Sequence, residues 1–179
     1  MTATTPLTGE RADLLTVLAR QREFLRGTTR GLSDEQAGLR STVSELCLGG
    51  LIKHVSWGER HWVDFIVGGP EALMSGRKPW AEWDESDYLA YREEFRMRPG
   101  ETLAGLLAEY ARTAERTERI VAGLRDLDVT HPLPEAPWFE PGAAWSARTA
   151  LLHIIAETAQ HCGHADIIRE AIDGAKSMG

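Results

Sequence analysis

The sequence is poor in cysteine, in basic clusters and in long apolar runs, and each shortage closes off a class of function. Its two cysteines, Cys47 and Cys162, are too far apart for a CxxC redox motif or a cysteine metal cluster. The default is two free thiols that behave as small buried apolar side chains. Cys162 adjoins His161, so a place beside a site stays open for it. No apolar stretch approaches the roughly 20 residues that a membrane helix needs, and no membrane partner is expected. The opening segment, Met1 to Pro6, lacks the basic and apolar regions of a secretory leader. The expectation is a soluble cytoplasmic protein. No Lys/Arg cluster offsets the formal net charge of −7. The arginines between Arg92 and Arg98 are interleaved with Glu93 and Glu94. A nucleic acid needs a basic footprint to displace its counterions, so no nucleic-acid partner is expected. Strand alternation is missing as well.

What is present is helical periodicity in a chain of ordinary domain size. With 42% hydrophobic and 26% charged residues over 179 positions, the chain can bury a full core without staples. The spacing predicts a first helix from about Gly9 to Gly31, with Leu14, Leu15, Val17, Leu18, Phe24 and Leu25 on its apolar stripe. A second starts near Ser44, capped by Ser41 or Ser44, and runs to Val67, where Gly68-Gly-Pro70 stops it. An irregular stretch rich in Trp, Asp, Glu, Pro and Gly follows from Glu71 to Pro99, with a short helix over Glu85 to Phe95. Trp80, Trp83 and Tyr88 pack this stretch onto the body. A third long helix covers Glu101 to Leu124, and a proline-rich loop covers His131 to Gly142. The fourth helix opens at Ser146 as N-cap, runs to Ile172, and meets a C-terminal glycine cap at Gly174. Four helices of about 20 residues with one or two long crossovers make an all-α fold, a four-helix bundle in one domain.

Five of the six histidines fall in two of these helices. At about 100° per residue, His153, Glu157, His161 and His164 share an arc of about 80° on the fourth helix. His54 and His61 share a face of the second. The fourth helix is otherwise apolar, and a carboxylate among imidazoles facing a bundle interior is costly unless paired or metal-bound. Glu157 and His161, one turn apart, reach one ion, and His54 is the best candidate for a third ligand from another helix. Two imidazoles and a carboxylate suit zinc, and also nickel, iron(II) or manganese. Three protein ligands leave an open position for water or substrate. The bland alternative is a hydrogen-bonded polar core, since an ExxxH pair recurs by chance.

Two stretches carry a resemblance: SELCLGGLIKHVSWGERHW over 44–62, and ARTALLHIIAETAQHCGHADIIRE over 147–170. Both resemble the DinB-like superfamily, most closely the branch with actinobacterial mini-circle proteins and mycothiol-dependent maleylpyruvate isomerase. The resemblance implies a four-helix bundle with a metal triad, matched here by His54, Glu157 and His161. Many members carry histidine where Glu157 stands; the isomerase branch carries Glu. His164 matches no ligand and becomes the catalytic candidate, orienting a ligand or moving a proton. His153 reads as structural or as a hydrogen bond at the floor of the site. His61, about 10 Å from His54 along the helix axis, reads as a pocket-entrance residue. Trp138, beside Phe139, reads as a substrate wall.

The chemistry the resemblance implies is thiol transfer: one divalent metal ion, zinc foremost, activates a mycothiol-type thiol for attack on an electrophilic small molecule. An Ala-, Arg- and Gly-rich composition fits an actinobacterial source. The alternatives are a metal-dependent isomerase or hydrolase, and a non-catalytic, stress-associated metal-binding protein. The isomerase carries a further C-terminal domain that contributes to its site, whereas this sequence ends soon after the fourth helix, so the transferase is expected over that isomerisation. Bundles of this type often pair as homodimers.

Overall fold

The computed structural model describes residues 7–177, and the Met1–Pro6 segment discussed above lies outside them. The described residues form six α-helices, one small sheet and a 3-10 turn at Trp80–Glu82: α1 (Glu10–Gly27), α2 (Asp34–Gly38), α3 (Leu48–Leu73), α4 (Glu85–Glu93), α5 (Leu103–Gly123), β1 (Thr130–Pro132), β2 (Ala144–Ser146) and α6 (Ala147–Asp173). The four long helices pack in a ring in which α6 touches α1 and α3, and α5 touches α3 and α1.

Each long helix earns its place through a buried stripe. In α3 the stripe is Leu48, Leu51, Ile52, Val55, Glu59, Val63 and Ile66, the three- and four-residue steps of one helical face. In α6 it is Ala147, Leu151, Ile154, Thr158, Ala165 and Ile168. His161 occupies the step between Thr158 and Ala165.

The core falls into two apolar clusters. One joins Leu18, Val63, Ile66, Val121, Leu151 and Ile154. The other joins Leu25, Leu48, Ile52, Tyr110, Ala165 and Ile168. These memberships fix the helix directions. The later part of α1 and of α6 meets the early part of α3, so both run antiparallel to it. The early part of α5 meets the early part of α3, so those two run parallel. A parallel pair cannot be joined by a tight turn, which is why 74–102 forms a long crossover.

Between the clusters lies a polar layer. Arg22 donates to Glu59 through Nε at 3.0 Å and Nη2 at 2.5 Å, and Thr117 Oγ1 donates to Glu59 Oε1 at 2.5 Å. Arg22 and Glu59 are 5% and 2% exposed. Burying two charges is tolerable because the fork geometry satisfies both carboxylate oxygens.

The elements differ from the sequence expectation in four places. Neither Ser41 nor Ser44 caps α3. Cys47 does, its sulfur accepting from Gly50 N at 3.4 Å, because the buried stripe starts at Leu48. Ser41 Oγ instead donates to Ile168 O at 3.1 Å. The Gly68-Gly-Pro70 stop is a kink: Gly69 takes φ 71°, ψ −158°, and Pro70 opens one more turn. That positive φ suits glycine, and a Cβ there would sit 3.0 Å from His131 Nδ1. Third, no strand was expected, yet β1 and β2 pair antiparallel. Three residues per strand are too few for an alternation to be read. The helix α2 was also missed, although Ser33 and Gln36 form a capping box at its start.

Candidate metal centre and its cavity

The second half of the α3 motif and the middle of α6 face each other across the bundle interior. His54 from α3 and Glu157 and His161 from α6 each offer a donor atom, all within 4.8 Å of one another. His161 Nε2 lies 3.6 Å from Glu157 Oε2, and the rings of His54 and His161 meet edge to face at 5.0 Å. The side chain of His161 is 12% exposed and that of Glu157 41%, so the group opens to one side only.

The electrostatics suit a cation. Burial, and secondly the neighbouring His161, push the His54 imidazole down to about 4 against the opposing pull of Glu157. It is therefore neutral at pH 7. Its Nδ1 is buried with no hydrogen-bond partner among the described residues, an arrangement that costs about 1–3 kcal/mol unless something fills it. The contact with His161 holds the Glu157 carboxyl below the usual carboxylate range, so it is ionised. A neutral imidazole and an ionised carboxylate are the protonation states that metal binding requires.

Two glycines place His54. A Cβ on Gly50 would lie 1.8 Å from Phe95 O, and one on Gly49 would lie 2.7 Å from the Met97 sulfur. The end of the crossover thus lies directly on the backbone of α3. Lys53 fastens it there, donating to Arg96 O at 3.2 Å and to Glu101 Oε1 at 2.7 Å. The Phe95 ring then stacks on His54 with centroids 4.0 Å apart.

His54, Glu157 and His161 line a cavity of about 330 Å³. Its walls come from four chain segments: Trp57, His61 and Trp62 from α3, Arg77 and Trp80 from the crossover, Tyr91 from α4, and Trp138 and Phe139 from the β1–β2 connection. His153 and Thr158 of α6 and Glu59 of the polar layer close the floor. His61 Nδ1 lies 2.9 Å from Trp57 O; a carbonyl only accepts, so Nδ1 carries the proton. Burial pushes both His61 and His153 below the usual imidazole value. His153 packs against Trp62 and Trp145 at 4.8 and 5.1 Å.

The structure brings His54, Glu157 and His161 together and puts His61, His153, Trp138 and Phe139 on the same cavity. It places His164 elsewhere. His164 Nδ1 lies 3.3 Å from His161 Nδ1, behind that ring, and His164 is not among the cavity-lining residues. Cys162 also faces away: its sulfur donates to Gln21 O at 3.3 Å on α1, and burial pushes its thiol up to about 11. Sequence reasoning passed over Phe95, Arg77 and Tyr91. The adjacent glycines one turn before His54 were the available sign that another backbone approaches there.

Residues 13–174 match the family model described as Mycothiol-S-transferase. Among solved structures the fold is similar to the crystal structure of a conserved protein from Enterococcus faecalis, with TM-score 0.68 and 13% identity. That match covers 94% of this chain and 100% of the other. No curated protein matches this sequence.

Proposed function

Because the chain belongs to the mycothiol-S-transferase family, we propose that it is a divalent-metal-dependent thiol S-transferase joining a mycothiol-type thiol to an electrophilic small molecule. The observation that carries this reading is the convergence of two imidazoles and a carboxylate on the wall of an aromatic cavity. The donor set fits a zinc ion, and the buried, unpartnered Nδ1 of His54 fits a role beside a cation.

When bound, such an ion lowers the pKa of a coordinated thiol, so that thiolate, the nucleophile, is present at neutral pH. The chain's own residues prepare the reaction. Phe95 holds the His54 ring in one orientation by stacking. His164 would do the same for His161, whose Nδ1 lies 3.3 Å from its own: with the His161 Nε2 lone pair given to an ion, His161 Nδ1 would carry the proton and donate to His164 Nδ1. His164 is therefore a positioning residue. The aromatic walls thin out water around the nucleophile and the electrophile.

The test is transfer of mycothiol to a generic electrophile by zinc-loaded protein. The proposal expects thiol-dependent turnover, reduced at least about a hundredfold in Glu157→Ala. Equal rates with and without protein, or an undiminished Glu157→Ala, would contradict it.

A further inference from the structure

The wall chemistry of the cavity narrows the electrophile. A polyhydroxylated thiol needs hydrogen-bond partners for its hydroxyls, and Trp57, Trp62, Trp80, Tyr91, Trp138 and Phe139 offer mainly ring faces and edges. Trp80 and Trp138 meet edge to face at 4.5 Å, joining the crossover to the β1–β2 connection across the cavity mouth. Trp138 is 58% exposed, so this wall of the cavity reaches the surface. Space bounded by rings suits a flat, apolar occupant.

One cation stands among the described lining residues, Arg77. Its guanidinium lies 4.0 Å over the ring of Trp57. Nη2 donates to Glu94 Oε1 at 2.5 Å, and the side chains of this pair are 16% and 21% exposed. Nε and Nη1 have no partner among the described residues. Stacking fixes the plane of the fork and Glu94 fixes one end of it, which leaves the other N–H groups preset for a carboxylate. The other acidic side chains on the cavity do not compete for it. Glu59 is held by Arg22 and Thr117, and Glu157 belongs to the triad.

We propose that the cavity binds a flat, conjugated or aromatic substrate bearing a single carboxylate, with the ring among the tryptophans and the carboxylate on Arg77. This deepens, and rests on, the reading of the cavity as the electrophile site of a thiol transferase.

The test is isothermal titration with three probes, trans-cinnamate, cinnamamide and hexanoate, without thiol, on metal-free and on zinc-loaded protein. A protein that held no metal or transferred no thiol would still give an answer here, so this proposal and the transferase reading fail separately. The expected result is cinnamate binding about tenfold tighter than either cinnamamide, which lacks the charge, or hexanoate, which lacks the ring. In Arg77→Gln the cinnamate preference falls to about twofold or less while cinnamamide binding holds. Arg77→Lys, the second variant should Arg77→Gln fail to fold, keeps part of the preference. Equal binding of cinnamate and cinnamamide in the wild type would overturn the proposal. A charge preference undiminished in Arg77→Gln would overturn it too, since the carboxylate would then be held elsewhere, at the metal included.

Discussion

Gly50→Ala tests how the site is built, because it adds one methyl group and touches neither the triad nor the cavity. Its Cβ would stand 1.8 Å from Phe95 O and 2.5 Å from Phe95 C, both backbone atoms that no rotamer change can move aside. To reach ordinary contact at 3.4 Å the crossover must retreat by about 1.6 Å. That retreat breaks the Lys53 to Arg96 O hydrogen bond and lifts Phe95 off His54. Over-packing of this kind costs about 1–3 kcal/mol. Gly163→Ala in α6 is the internal control. Nothing lies within 4 Å of a Cβ there, and alanine is the better helix former by about 0.8–1 kcal/mol. The same substitution should therefore destabilise at position 50 and stabilise at position 163, read as urea midpoints on metal-free protein. A zinc competition titration should show at least about tenfold weaker binding for Gly50→Ala, because His54 is no longer held. A Gly50→Ala protein as stable as the wild type, with undiminished zinc affinity, would refute the idea that the crossover orients His54 by lying on α3.

Three further outcomes follow from the same structure. Glu59→Ala takes the fork partner from buried Arg22 and leaves it only the half-exposed Glu118, so it should cost up to about 3 kcal/mol by urea denaturation, and a loss below about 1 kcal/mol would show that the polar layer is solvated. Burial keeps His61 and His153 neutral in the folded protein, while the unfolded chain protonates them near the ordinary 6.5. Their contribution is full above that value and drains away as the pH falls toward their depressed folded values. Metal-free protein should thus unfold at lower urea at pH 5.5 than at pH 7.5, with a smaller gap in His153→Gln; equal midpoints in the wild type would contradict the burial argument. His164→Ala should retain one metal equivalent but bind it about 10–100-fold more weakly, and an unchanged affinity would remove its role behind His161.

The helices were legible because their stripes are long and regular. Leu48 to Ile66 and Ala147 to Ile168 announce their faces at three- and four-residue steps. The grouping of His54, Glu157 and His161 was legible for the same reason, since helical spacing puts Glu157 and His161 on one face and made His54, on the other histidine-bearing helix, the best candidate to join them, and the resemblance matched the same three. Pieces whose geometry depends on distant contacts were hidden. Cys47 rather than a serine caps α3, and this follows from where the buried stripe begins. The β1–β2 pair exists because Leu133 N and Ala147 N find carbonyl partners across the loop, a match that six residues cannot advertise. Arg77 and Tyr91 reach the cavity, and Phe95 reaches His54, through the crossover, whose path is set where Phe95 and Met97 lie against Gly50 and Gly49, 45 and 48 residues earlier in the chain. His164 shares a helical face with His161 yet points behind it, because an arc of about 80° spans both the inward side and the shoulder of a helix.

The most direct test of the central claim is elemental analysis of protein purified without an affinity tag, beside His161→Ala prepared in the same way. The account predicts about one equivalent of zinc or another first-row divalent metal per chain, lost in the variant while the helical circular-dichroism signal is kept. A wild type that carries no metal and takes up none on reconstitution would contradict it, leaving His54, Glu157 and His161 as a polar contact between two helices.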